Sequence, residues 1–512
     1  MNHVKTIGLG TISGFVSNAA ALGVGIVTVP LLIRGLGVEP YGLLGVVSAL
    51  VGFVGMADLG MTSTVTNAIS YAKAHRDWPR INRLFSGGIM IYTPLVLFLF
   101  ALVVSLIYSS FVSLGSLLSI DATLEALARP VIAIMLLYTA AGMFIGGMLK
   151  SLYHGVNNVH VYNVIQTAYT VIFSLAFIAY LVFGNITLLG VVLFQAGGAF
   201  VRLLVFYLLA KRRYHWFAFC FAWQSLRQVR PLLKYTAELF LTVLATLIVA
   251  KSDNIVLSHY KGVAAVAIYS IAFKLFHLPS TMFPIASASY PTVAALYEKR
   301  DWKQMAILYR QILRVNMLTK VIIFGFMAVF AAEVVSAWVG VDLFAGYATV
   351  TAIAGFHVLF VWNGSHILFT NAMFKYRIAL LPTVISTILN LGFSIYLVQK
   401  IGMVGIALGT FFAFLLTTVW YIPRYLKGVM DIRPAYEAWL LIKRIVPLMF
   451  ILFVAHYFAV AFVPGGFLLY VTSAVIGVLF AALVFATAFT PVERRFVFTV
   501  VRNRFNRHVR KV

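Results

Sequence analysis

The sequence is short of charge and nearly empty of cysteine. Of its 512 residues only 10% are Asp, Glu, Lys or Arg, and only 14 are acidic, whereas an ordinary soluble domain is about 25% charged. With 62% hydrophobic residues and a mean hydropathy of +0.98, no soluble core can hide the apolar surface. The single cysteine, Cys220, excludes an intrachain disulfide and a cysteine-based zinc site. A nucleotide-binding Gly-x-x-x-x-Gly-Lys-Ser/Thr loop, a His-Glu-x-x-His pair and paired carboxylates in an outside loop are all missing. These absences exclude ATP-driven transport within the chain and leave no catalytic group, metal or cofactor to expect.

What remains is apolar runs near the ~20 residues that cross a bilayer as a helix, separated by short polar breaks. Runs such as Ile445 to Val463 and Phe467 to Phe489 are apolar on every side, so they predict helices and not the alternating strands of a barrel. Fourteen spans are expected, at 6–33, 41–70, 86–108, 130–150, 161–183, 187–210, 235–258, 263–290, 315–338, 346–372, 380–398, 403–422, 445–463 and 467–489. The first follows Lys5 and contains the small run Ala19-Ala20-Ala21, like a secretory signal. Its length and its Ser13, Ser17 and Asn18 favour a retained span.

The formal net charge of +25 is a record of topology. With the amino terminus inside, 31 of the 39 Lys and Arg fall in inside segments, four outside (Arg34, Arg129, Lys261, Lys400) and four within spans (Arg202, Lys251, Lys274, Lys320). That asymmetry places both termini in the cytoplasm and removes the need for a nucleic-acid partner. Arg202 and Lys320 lie near the inside surface and are read as snorkelling. The aromatic stretch Tyr214 to Trp223 beside Lys211, Arg212 and Arg213 is read as an interfacial belt.

The chain also repeats itself. His75-Arg76-Asp77-Trp78 returns as Lys299-Arg300-Asp301-Trp302 at an offset of 224, the Gly37-Val38 turn returns as Gly262-Val263 at 225, and Val164-Ile165-Gln166-Thr167 as Val384-Ile385-Ser386-Thr387 at 220. Near-constant offsets indicate duplication of six spans. Six is even, so the halves are parallel repeats, a plan that places a substrate site between two lobes and supports alternating access. The expected organisation is an all-α polytopic membrane protein: a lobe at 1–210, a basic linker at 211–234, a second lobe at 235–422, an appended span pair within 423–489 and a basic tail at 490–512.

Polar groups inside spans are costly in lipid, so they mark cavities or interhelical pairs. Glu238, Thr242, Thr246 and Asp253 share one face of the seventh span, which leads Asp253 to be paired with Lys274 on the eighth, beside His277. A cationic wall there would receive an anionic substrate and couple it to protons through Asp253 or His277; an interhelical ion pair explains the same residues. Lys251 adds a second cation, and Asp58 heads a polar run, Met61 to Asn67, that predicts cavity lining. Asn18 and Arg34 complete the candidates from the first span, Arg34 serving equally well as an interface anchor. Polar stripes at Asn163, Gln166, Thr170 and Ser174, and at Thr383, Thr387, Asn390 and Ser394, fit either sugar hydroxyls or hydrogen-bonded helix packing. Gly142-xxx-Gly146 and Gly405-xxx-Gly409 fit close helix packing.

Pro30-Leu31-Leu32-Ile33-Arg34-Gly35-Leu36-Gly37-Val38-Glu39-Pro40-Tyr41-Gly42, followed by Asp58-Leu59-Gly60-Met61, resembles the start of Wzx-type polysaccharide flippases of the multidrug, oligosaccharidyl-lipid and polysaccharide exporter superfamily. The resemblance implies two six-helix lobes around a central cationic cavity. It also implies translocation of an undecaprenyl-diphosphate-linked oligosaccharide across a bacterial inner membrane, with O-antigen or exopolysaccharide polymerase and chain-length proteins as partners. A small-molecule or drug antiporter of the same superfamily, coupled to protons or sodium, is the alternative. The appended pair favours the lipid-linked cargo. A polysaccharide polymerase or ligase needs a large reactive outside loop, and the longest here, about Ser109 to Arg129, carries only Asp121 and Glu125.

Overall fold

The protein, seen here as a computed structural model, is helical, with no strand among the described residues. The structure describes residues 23–54, 61–108, 114–220, 237–282, 296–373 and 377–495, with short stretches at 225–226, 229, 289, 293–294 and 375. It divides into two compact units, Met1–Ala267 and Ile268–Val512. Ten helices among the described residues are long and apolar enough to cross a membrane, against the fourteen crossings expected, and two shorter apolar helices precede them.

The first unit contains α1 (Gly23–Leu36), α2 (Val38–Val54), α3 (Met61–Ala74), α4 (Trp78–Tyr108), α5 (Leu114–Leu118), α6 (Ala122–Gly155), α7 (Val159–Phe183) and α8 (Leu188–Arg213). The next helix, α9 (Ala237–Met282), covers both the seventh and eighth expected spans and is broken at Gly262, whose φ of 78° and ψ of 171° are not helical. The sequence cues at the helix starts are used as such: the Asp121 carboxylate accepts from Leu124 N at 2.8 Å, and the Thr187 hydroxyl accepts from Gly190 N at 3.1 Å. α6 is the hub, with α2, α3, α4 and α8 all packed on it. Its partners share a core of Met61, Val65, Ile69, Phe85, Phe144, Met148 and Tyr153.

The second unit contains α10 (Trp302–Val329), α11 (Ala331–Trp338), α12 (Tyr347–Ala372), α13 (Arg377–Ile401), α14 (Met403–Leu416), α15 (Thr418–Val429), α16 (Pro434–Phe462) and α17 (Phe467–Thr487). Here α12 is the hub for α10, α14 and α15. It stands at the place in the repeat that α6 holds in the first unit.

The duplication reaches the backbone. Arg76 and Arg300 have φ of 55° and 54°, Asp77 N donates to Ala72 O at 2.9 Å, and Asp301 N donates to Leu296 O at 3.1 Å. A left-handed residue followed by this long-range donation is a Schellman-type helix end. Each aspartate then caps the next helix, accepting from Arg80 N and from Gln304 N, both at 3.0 Å.

In the aromatic stretch read as an interfacial belt, Tyr214 and Phe217 are buried in the first unit's core, and Trp216 stacks on Trp78 at 4.9 Å. The stretch is strapped to α4, since Asn82 Nδ2 donates to Trp216 O at 2.7 Å and Cys220 N donates to Ser86 Oγ at 2.8 Å. Residues 221–223 of that belt lie outside the described residues.

Candidate functional site

Of the residues singled out in the sequence, Asn18 and Asp58 lie outside the described residues. Arg34 is exposed at the end of α1. Lys251 is half-buried with its side chain running past Gly52, where a Cβ would stand 3.2 Å from Lys251 Cε. Asp253, two residues on, is buried at 5% exposure. Both belong to the first unit. Lys274, half-buried, and His277, exposed and stacked on Phe273 at 5.7 Å, belong to the second. The side chains of Glu238, Thr242 and Thr246 are outside the described set.

The two cations read as snorkelling do something else. Lys320 is 3% exposed, and its ammonium donates to the carbonyl oxygens of Pro279 at 3.4 Å and of Ser280. A buried ammonium bonded to backbone carbonyl oxygens is satisfied within the protein and does not reach for the membrane surface. Arg202 lies nine residues inward of Lys211 on α8, or about 13 Å along the axis. Helical side chains lean toward their own N-terminus, so Arg202 leans away from the basic end of α8. The contacts agree with this: Leu203 lies 3.3 Å from the Cβ position of Gly146, while Arg202 Nη2 lies 3.1 Å from that of Gly142, one turn further up α6.

Arg202 stands where two cavities meet. One, of about 360 Å³, is walled by Thr62 of α3, Met143 and Lys150 of α6, Tyr162 of α7, and Arg202 and Phe206 of α8. The other, of about 390 Å³, is walled by Tyr138 and Thr139 of α6, Gln166, Tyr169, Thr170, Phe173 and Ser174 of α7, and Gln195 and Arg202 of α8. Gly142, Met143 and Arg202 line both. Among the described residues no acidic side chain forms a salt bridge with Arg202 or Lys150. The neutral wall is partly organised already, with Tyr138 Oη donating to Gln195 Oε1 at 3.1 Å and Gln166 Nε2 to Thr170 Oγ1 at 3.2 Å.

The polysaccharide biosynthesis protein family matches residues 7–297. The chain belongs to this family. No curated protein matches the sequence. Among solved structures, lipid II flippase MurJ in an inward closed conformation is 14% identical and superposes with a TM-score of 0.68 over 93% of this chain and 99% of its own. An inward-facing multidrug resistance MATE family transporter of the MOP superfamily is 16% identical, with a TM-score of 0.62 over 83% of this chain and 98% of its own. A MOP superfamily transporter from Pyrococcus furiosus, described as having a binding pocket of reversed polarity, is 15% identical, with a TM-score of 0.55 over 83% and 96%. These likenesses are of fold.

In this member of the polysaccharide biosynthesis family, the matched segment contains both cavities entire. The stripe of Gln166, Thr170 and Ser174 lines open space there, whereas its counterpart in the second unit is closed. Asn390 and Ser394 are fully buried, Asn390 Nδ2 donates to Thr410 Oγ1 at 2.8 Å, and Gly405 and Gly409 bring α14 against the backbone of Leu397 and Ser394. Arg202 was the residue whose role the sequence hid. The signals for it were the small Gly142 and the polar face of the fifth span.

Proposed function

We propose that this protein is a flippase that moves an undecaprenyl-diphosphate-linked oligosaccharide from the inner to the outer leaflet of a bacterial cytoplasmic membrane, by alternating access between two parallel six-span lobes, with both termini cytoplasmic. The observation that carries this reading is a set of cations held within apolar helices, Arg202, Lys251 and Lys274, in a member of the polysaccharide biosynthesis family. A diphosphate leaving water requires compensating positive charge, while its lipid tail stays in the bilayer. Lys251 and Lys274 are assigned to the diphosphate, Asp253 and His277 to coupling with an ion, and Asp58, Asn18 and Arg34 to the lining of the path. The fold of the lipid II flippase extends over more of the chain than that of the MATE transporters, 93% against 83%, which supports a lipid-linked cargo over a small-molecule antiporter.

The test is leaflet-resolved accumulation. Deletion of the gene is expected to trap lipid-linked repeat units on the inner leaflet, and complementation with Lys274→Ala is expected to leave outer-leaflet delivery at least tenfold below wild type while Lys274→Arg restores it. Normal delivery in the deletion strain would overturn the function. Equal delivery by both variants would overturn the role of Lys274.

A further inference from the structure

We propose that the paired cavities among α6, α7 and α8 form a binding site for a monosaccharide unit carrying an anionic group, a phosphate or a carboxylate. This deepens the reading above by naming the part of the cargo the first unit holds. Arg202 takes the anion, and the wall above it takes the ring.

Three observations converge on this class of ligand. First, the guanidinium of Arg202 faces both cavities with no acidic partner among the described residues, and Lys150 lies on the wall of the same cavity. A cation held within an apolar helix needs an anion or water to compensate it, and the planar fork of Arg suits a bidentate oxyanion better than any other side chain. Second, the cavity on the other side of Arg202 offers amides and hydroxyls in place of charge: Gln166, Gln195, Tyr138 and Thr170. These groups both donate and accept, as a sugar's hydroxyls require. Third, Tyr169 and Phe173 line that cavity with rings stacked at 5.5 Å and only 11° apart, a flat aromatic surface on which the apolar face of a pyranose can lie. Each cavity falls within the ~300–1,000 Å³ of small-molecule sites.

The placement is built on small residues. Gly142 leaves the guanidinium its room, since a Cβ there would stand 3.1 Å from Nη2. The equivalent stripe of the second unit is sealed by the α13–α14 contact at Gly405 and Gly409, so the inference concerns the first unit alone.

The experiment uses the purified full-length protein in nanodiscs, titrated calorimetrically with glucose 1-phosphate, glucuronate, methyl glucoside and inorganic phosphate. The two acidic sugars are expected to bind more tightly than either the neutral glucoside or phosphate, and whichever is tighter identifies the anion. Arg202→Gln is expected to weaken the acidic sugars at least tenfold, with Arg202→Lys intermediate. Gln166→Leu with Gln195→Leu is expected to weaken the sugars without changing inorganic phosphate. Melting curves of each variant separate lost binding from lost folding. If neither acidic sugar binds better than methyl glucoside, or if folded Arg202→Gln binds them as wild type does, the inference fails. Failure here with leaflet transport intact removes only this site; binding here with leaflet delivery normal in the deletion strain removes the transport reading.

Discussion

A single missing methyl group explains part of the motif near the amino terminus. Gly42 ends the run Pro40-Tyr41-Gly42, and a Cβ added there would stand 1.8 Å from the carbonyl oxygen of Val263, so α2 meets the second limb of α9 backbone to backbone. Gly42→Ala is expected to destabilise the protein by about 1–3 kcal/mol through overpacking, read as a lower melting temperature in detergent. Gly364→Ala, with nothing among the described residues within 4 Å of its Cβ position, serves as the control inside a helix and is expected to match wild type or exceed it by up to about 1 kcal/mol. Matching melts for the two would refute the packing argument. The motif was visible in the sequence, but its cause was not, because the obstructing carbonyl lies 221 residues further along. The same holds for Lys320 and Arg202. Hydropathy marks each as a cation out of place, while the choice among snorkelling, bonding buried carbonyls as Lys320 does and lining a cavity as Arg202 does is made by neighbours the sequence does not place.

At the scale of elements, the appended helix α16 is tied to α10 within the second unit by charge. Glu437 in the first turn of α16 is 2% exposed and takes a forked pair of bonds from Arg314 of α10, Nε to Oε2 at 2.6 Å and Nη2 to Oε1 at 3.0 Å. Glu493, also 2% exposed, continues the network to Arg444 at 3.2 Å and to Arg314 at 3.7 Å. Removing one partner of a buried pair leaves a desolvated charge behind. Glu437→Ala is therefore expected to cost about 3–5 kcal/mol, and Glu437→Leu with Arg314→Met to recover most of it. Thermal unfolding of the single and double variants decides the matter: a double variant as unstable as the single would show that the network does not act as a pair. The sequence displayed these two carboxylates among only 14 acids, yet their sites lay in loops, where solvent exposure is the default reading. Helix type and the repeated tetrapeptide were legible because each is carried by its own contiguous residues. The fate of the two polar stripes was not, because identical residue types line a cavity where α7 and α8 stand apart and pack shut where α13 and α14 touch.

For the whole molecule, the duplicated turn makes a prediction that needs no knowledge of cargo. His75-Arg76-Asp77-Trp78 and Lys299-Arg300-Asp301-Trp302 fold alike down to the left-handed arginine and the capping aspartate. Sequence offset alone does not give the sense of the repeat, which depends on whether an even number of crossings separates the two turns. A parallel repeat puts both on the cytoplasmic face, together with most of the basic residues, and an inverted one puts them on opposite faces. In a Cys220→Ala background, which removes the chain's one thiol, His75→Cys and Lys299→Cys are each expected to react with a membrane-impermeant maleimide only after the cells are opened. Lys261→Cys and Lys400→Cys, beside the left-handed glycines Gly262 and Gly402, are expected to react from outside in intact cells. Labelling of His75→Cys and Lys299→Cys from opposite faces would make the repeat inverted, and the rocking of two lobes related by an axis along the membrane normal would then no longer follow from it. Labelling of both from inside leaves that motion in place whatever the cargo proves to be.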